Sequence, residues 1–110
     1  MSISPVHLQQ LADICEGAEV LNEGTQEYVY LKQLKVRVGV DNYIVDALLS
    51  ATAHTGYTTR LFLSQSFPGK SANWTIHSIL GRPWHTWSWQ GVPADLTPMQ
   101  ILLCHLDALK

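Results

Sequence analysis

Cysteine, basic charge and long apolar runs are all scarce in this chain. Of 110 residues only two are cysteine, Cys15 and Cys104. That is too few for a disulfide scaffold, and both fall in stretches that read as helix. No apolar run approaches the ~18 residues needed to cross a bilayer, so no transmembrane helix and no membrane partner are predicted. The chain starts Met-Ser-Ile-Ser-Pro, with no basic start and no apolar signal core. Secretion is therefore not expected, and the reading is a cytoplasmic protein with reduced thiols. Lys and Arg number only seven and are scattered, which disfavours a nucleic-acid partner, because polyphosphate calls for a clustered basic face. There is no glycine-rich phosphate loop. The five histidines (His7, His54, His77, His85 and His105) show no paired ligand spacing, so neither a cofactor nor a metal is expected. A strand–nucleophile–helix elbow of the hydrolase kind is missing too.

What is present is a chain 46% apolar and 15% charged, the balance of a folded domain and not of a disordered tail. Without repeat, linker or low-complexity tract, residues 1–110 read as a single domain. Its net charge of −2 is unevenly placed. Five acids (Asp13, Glu16, Glu19, Glu23, Glu27) precede the first base, Lys32. Such an acidic face could meet a basic protein partner or simply be solvated.

Ser4-Pro5 has the chemistry of a helix start. Leu8, Leu11, Ala12 and Cys15 then form one apolar stripe at helical spacing, with Gly17 as a candidate left-handed terminator. Glu23-Gly24-Thr25 reads as a turn between extended segments 18–21 and 28–38. Residues 43–53 have helical propensity around Asp46-Ala47-Leu48-Leu49, but their position before a Thr55-Gly56 turn favours a strand. Thr58–Ser64 is rich in strand formers. Trp74–Leu80 alternates, with Trp74, Ile76 and Ser78 on one face. Gly81–Pro93, with two prolines and two glycines, reads as a loop. Thr97-Pro98-Met99-Gln100 is a capping box opening a last helix, whose predicted core face is Met99, Leu102, Leu103, Leu106 and Leu109. The expectation is an α+β fold: an N-terminal helix, a four- to five-stranded antiparallel meander, a tryptophan-rich loop and a C-terminal helix.

The unusual stretch is Gly81-Arg-Pro-Trp-His-Thr-Trp-Ser-Trp-Gln-Gly91. All four tryptophans lie between positions 74 and 89. Trp84, Trp87 and Trp89 could seal the end of a small core or form a platform for a protein partner, and both readings stay open. His85 and Ser88 are the groups here that could do chemistry. A serine hydroxyl is a weak nucleophile without a base. At a separation of three, the pair converges only if the segment is turn-like or helical. Otherwise the two simply satisfy backbone groups. Cys15 and Cys104, beside aliphatic neighbours, read as inert thiols.

Four local features together resemble a bacterial branch of the ubiquitin-conjugating enzyme superfamily, the prokaryotic family E, over about residues 15–109. They are Tyr28–Val36, Thr55–Leu63, Gly81–Trp89, and the closing helix with its Asp95-Leu96 entry and Cys104-His-Leu106. The usual member carries a His-Pro-Asn triplet and, beyond it, a catalytic cysteine. Here His77 is followed by Ser78-Ile79, and Ser88 stands eleven residues after His77 with no cysteine in the loop. The resemblance implies an acceptor of an activated ubiquitin-like modifier, handed over by an activating enzyme. The acyl group would sit on Ser88 as an oxyester, with His85 moving the proton and His77 supporting the loop. It equally allows a non-catalytic module of that fold that scaffolds activating enzyme and modifier. Trp84, Trp87 and Trp89, together with Asp13 and Glu16 where relatives present basic residues, would then be the partner-binding groups.

Overall fold

The computed structural model describes residues 3–50, 58–89 and 91–110. Among these the order is α1 (Pro5–Ala12), β1 (Gly17–Glu23), β2 (Gln26–Val38), β3 (Asp41–Ser50), β4 (Arg60–Leu63), β5 (Thr75–Ile79), β6 (Arg82–Thr86), α2 (Pro98–Leu106) and a 3-10 turn (Asp107–Leu109). The Thr55-Gly56 turn, His54 and Gln90 lie outside the described residues. The α+β expectation holds: a helix, an antiparallel sheet, then a helix.

Two details of the sheet correct the expectation. It has six strands, and it is not a simple meander, because its order is β1-β2-β3-β4-β6-β5. The extra strand comes from the segment read as a loop, since Arg82–Thr86 pairs with β5 from Thr75↔Thr86 to Ile79↔Arg82. Pro83 argued against a strand there. It is tolerated because β6 meets β4 only at Leu63↔His85, so the missing N–H falls beyond that short ladder. Leu80 and Gly81, both at positive φ, form the two-residue turn of this hairpin.

The long strand β2 changes phase midway. Val29 and Leu31 are buried before the change, Leu34, Val36 and Val38 after it. A bulge between Leu31 and Leu34 supplies the extra residue that keeps both sets on one face. Gln33 takes φ 53° there, and its N–H donates to Asp46 Oδ1 at 2.9 Å.

The two faces of the sheet are covered differently. One packs the aliphatic residues of β2, β3 and β4 against Leu11 of α1, Ile101 and Leu102 of α2, and Leu109. The other buries Tyr28, Leu48, Phe62, Ile79 and Trp84 without any helical residue. Curling of the sheet explains this. Strands β2 and β6 are three steps apart, about 14 Å if flat, yet the Tyr30 and Trp84 ring centroids are 6.2 Å apart. The Leu80 N–H at the β5–β6 turn donates to Glu23 Oε2 at the end of β1, at 2.6 Å. The second face is thus the concave inside of a coiled sheet.

The helices begin where expected and differ in what they bury. Ser4 Oγ accepts the His7 N–H. The Thr97/Gln100 capping box is formed in both directions, at 3.0 and 3.3 Å. Helix α1 ends at Ala12 with Asp13 as its C-cap, short of the predicted stripe. Cys15 Sγ lies within reach of the Leu11 and Gly17 carbonyls, at 3.3 and 3.2 Å, either of which can accept its one proton, and Gly17 opens β1 instead of terminating the helix. In α2 the buried residues are Ile101, Leu102 and His105. Leu103, predicted inside, is 53% exposed.

Candidate functional site

The tryptophan segment is the end of a strand followed by an irregular run over 87–89. Alternation sets its directions. His77 and Trp84 are cross-strand partners and therefore share a face, the concave one, where His77 lies edge-on to Phe62 at 5.7 Å. His85 follows Trp84 and points to the opposite face, across from Leu63. No helix or turn falls within 82–89, so the geometry that would bring His85 and Ser88 together is not present. Ser88 is half-buried, and its N–H donates to the Ala72 carbonyl at 3.0 Å. The two candidate histidines lie on opposite faces of the sheet.

The tryptophans divide in the same way. Trp84 and Trp87 are 1% and 2% exposed, so their rings are core and offer no partner surface. This corrects the platform of three rings. Trp84 donates its indole N–H to the Ile79 carbonyl at 3.2 Å, and the Arg82 guanidinium lies 4.4 Å above its ring. Trp87 packs tilted against Trp74, with ring centroids 4.9 Å apart, and its N–H has no partner among the described residues. Trp89 is 38% exposed and is tied down through its N–H to the Cys104 carbonyl of α2 at 3.1 Å. Asp13 and Glu16 are exposed but lie beyond the end of α1, where Gln9 Nε2 donates to Asp13 Oδ1 and the Glu16 N–H to the Lys32 carbonyl.

Behind Ser88 and Trp89 lies a buried polar chain that sequence reasoning missed. Thr59 Oγ1 donates to the Val92 carbonyl at 2.9 Å. Its single proton is thereby used, so His105 Nε2, also at 2.9 Å, must be the donor to Thr59. His105 therefore carries a proton on Nε2. Burial, with the Arg60 charge adding to it, pushes its pKa down to about 4. The chain ties α2 to Thr59, the residue just before β4, and to the stretch leaving the tryptophan segment. A signal existed in the sequence, since His105 stands four residues from both Ile101 and Leu109, on their stripe. The same two causes, burial first and Arg60 second, lower His77. A second polar junction centres on Asp46. Its side chain accepts the Gln33 N–H and pairs with Arg82 at 3.5 Å, and its own N–H donates to the Ser64 hydroxyl at 3.1 Å.

Among the described residues no group of three or more His, Cys, Asp or Glu side chains could hold a metal ion. No helix there is long and apolar enough to cross a membrane. A concavity of about 230 Å³ on β1 and β2, lined by Gly17, Ala18, Glu19, Tyr30 and Lys32, shares no residue with the tryptophan segment. No protein-family model, no curated protein and no solved structure matches the chain.

Proposed function

We propose that this chain is a ubiquitin-conjugating-enzyme-like domain of a bacterial ubiquitin-like modification pathway, acting in the cytoplasm. Its first task is docking: it holds an activating enzyme and a modifier through the surface around Trp89. The observation that carries the reading is the anchored indole of Trp89, fixed to the Cys104 carbonyl with more than a third of its surface open. A ring already immobilised loses little entropy on meeting a partner, which is what an interface anchor requires. The acidic Asp13 and Glu16 add a separate charged surface for a basic partner.

A second reading, oxyester transfer, is favoured by the half-exposed Ser88 beside Trp89. In that step Ser88 Oγ bonds to the glycyl carbonyl carbon of the modifier. The bond from that carbon to the activating enzyme's sulfur breaks, and the hydroxyl proton ends on that sulfur. The placement of His77 and His85 on opposite faces of the sheet weighs against it, because the step calls on both beside one hydroxyl.

The test incubates the protein with activating enzyme, modifier and ATP. A stable complex without adduct, weakened tenfold or more in Trp89→Ala (about 1.4 kcal/mol), is the expected result. An adduct that survives thiol reductant and vanishes in Ser88→Ala establishes transfer instead. Neither complex nor adduct rejects both readings.

A further inference from the structure

We propose that the concavity on β1 and β2 binds a small zwitterion, a free α-amino acid with an apolar side chain. Gly17, Ala18, Glu19, Tyr30 and Lys32 line a volume of about 230 Å³ there. That lies below the roughly 300–1,000 Å³ of sites for drug-sized ligands, so a single amino acid is the scale it fits. The inference stands apart from the docking reading, because none of these residues belongs to the Trp89 surface.

The strand register assembles the site. Gly17 lies opposite Lys32 and Glu19 opposite Tyr30, and directly opposed residues share a face. Residues two apart on one strand share it too, so all four lie on the concave side. Tyr30, held edge-on to Trp84 at 6.2 Å, is the apolar wall. Glu19 and Lys32 stand diagonally across the ladder, at positions about 7–8 Å apart in such a pairing. Both are exposed, and neither side chain has an ion pair or hydrogen bond among the described residues. An unpaired carboxylate and an unpaired ammonium on one hollow are complementary to a ligand carrying both charges. A plain carboxylate would gain Lys32 but meet Glu19, and a plain amine would gain Glu19 but meet Lys32.

Gly17 is the independent sign of a ligand. Glycine weakens a strand, and its usual reasons there are a bulge, a bend or a close approach to the backbone. Gly17 is not at positive φ, and the register runs unbroken from Gly17↔Lys32 to Glu23↔Gln26. A Cβ at this position would meet nothing within 4 Å, so no part of the fold needs the space. What a side chain at residue 17 would fill is the hollow beside Glu19 and Lys32, and glycine keeps it open.

Titration of the isotope-labelled chain with L-phenylalanine, followed by amide NMR shifts, tests the proposal. Each exposed charge contact is weak, so saturation with a Kd of about 1 mM is expected, with the shifts centred on residues 17–19 and 30–32. Phenethylamine and 3-phenylpropionate, each lacking one of the two charges, should bind about fivefold more weakly or worse. Gly17→Val fills the hollow and should weaken phenylalanine binding at least tenfold with an unchanged circular dichroism spectrum. Lys32→Gln and Glu19→Gln, exposed changes that leave the backbone alone, should each weaken it about fivefold. No saturable shift up to about 20 mM, well above that Kd, overturns the proposal. So do shifts centred elsewhere, binding that survives both charge variants unchanged, or one-charge analogues that bind as tightly as phenylalanine.

Discussion

The two faces of the sheet solve one problem with different materials. The outer face is aliphatic where β2, β3 and β4 meet α1 and α2, with Phe67 and Trp87 packed beside that cover. The concave face covers itself by coiling and is filled with rings, Tyr28 against Phe62 at 6.2 Å and Tyr30 against Trp84 at the same separation. A large ring reaches across a curved sheet where a leucine would leave a void. The cost is a polar atom on each Tyr and Trp ring, met by the Ile79 carbonyl for Trp84. The lesson is that an aromatic-rich strand pattern need not announce a partner. It can mark the face a sheet closes on.

That contrast can be broken most sharply at Trp84. Trp84→Ala should lower the unfolding free energy in urea by about 4 kcal/mol, the range of a large ring removed from a core. Trp89→Ala should change it by less than about 1 kcal/mol, since its ring faces water. A Trp84→Ala loss under about 1 kcal/mol would show that the concave face is not a second core.

The outer face carries the next largest effect. The pKa of His105 falls from 6.5 unfolded to about 4 folded. The unfolded chain therefore binds the extra proton between those values, and stability rises with pH across them. It is fully present above pH 6.5 and drains away as pH falls toward 4, by about 3 kcal/mol in total at 1.36 kcal/mol per unit. Urea midpoints at pH 7 and pH 4 should show this fall in the wild type and a shallower one in His105→Gln. Equal slopes would mean His105 is not held neutral.

Smaller effects sharpen the picture. Thr97→Ala should cost about 1 kcal/mol in thermal unfolding by removing the α2 cap. Gln33→Gly should be neutral or stabilising by up to about 1 kcal/mol, because glycine holds the positive φ of the bulge without strain.

The sequence made some of this legible and hid the rest for identifiable reasons. Both helix starts were readable because Ser4-Pro5 and Thr97-Pro98-Met99-Gln100 are local chemistry. The bulge left its trace in β2, where buried positions shift from odd to even numbers. β6 was hidden because Pro83 and the surrounding glycines spoke for a loop, whereas a proline is harmless where a ladder has ended. His105 was hidden because polarity outweighed position, and Leu103 was placed inside for the opposite reason.

Helix caps, two-residue turns and strand alternation are interactions among near neighbours, so the order of amino acids alone determined them. Which strand β6 would lie beside, and whether Trp84, Trp87 or Trp89 would meet water, depended on residues tens of positions away. Only the coiling of the sheet decided those, because burial belongs to the packed surface and not to the residue.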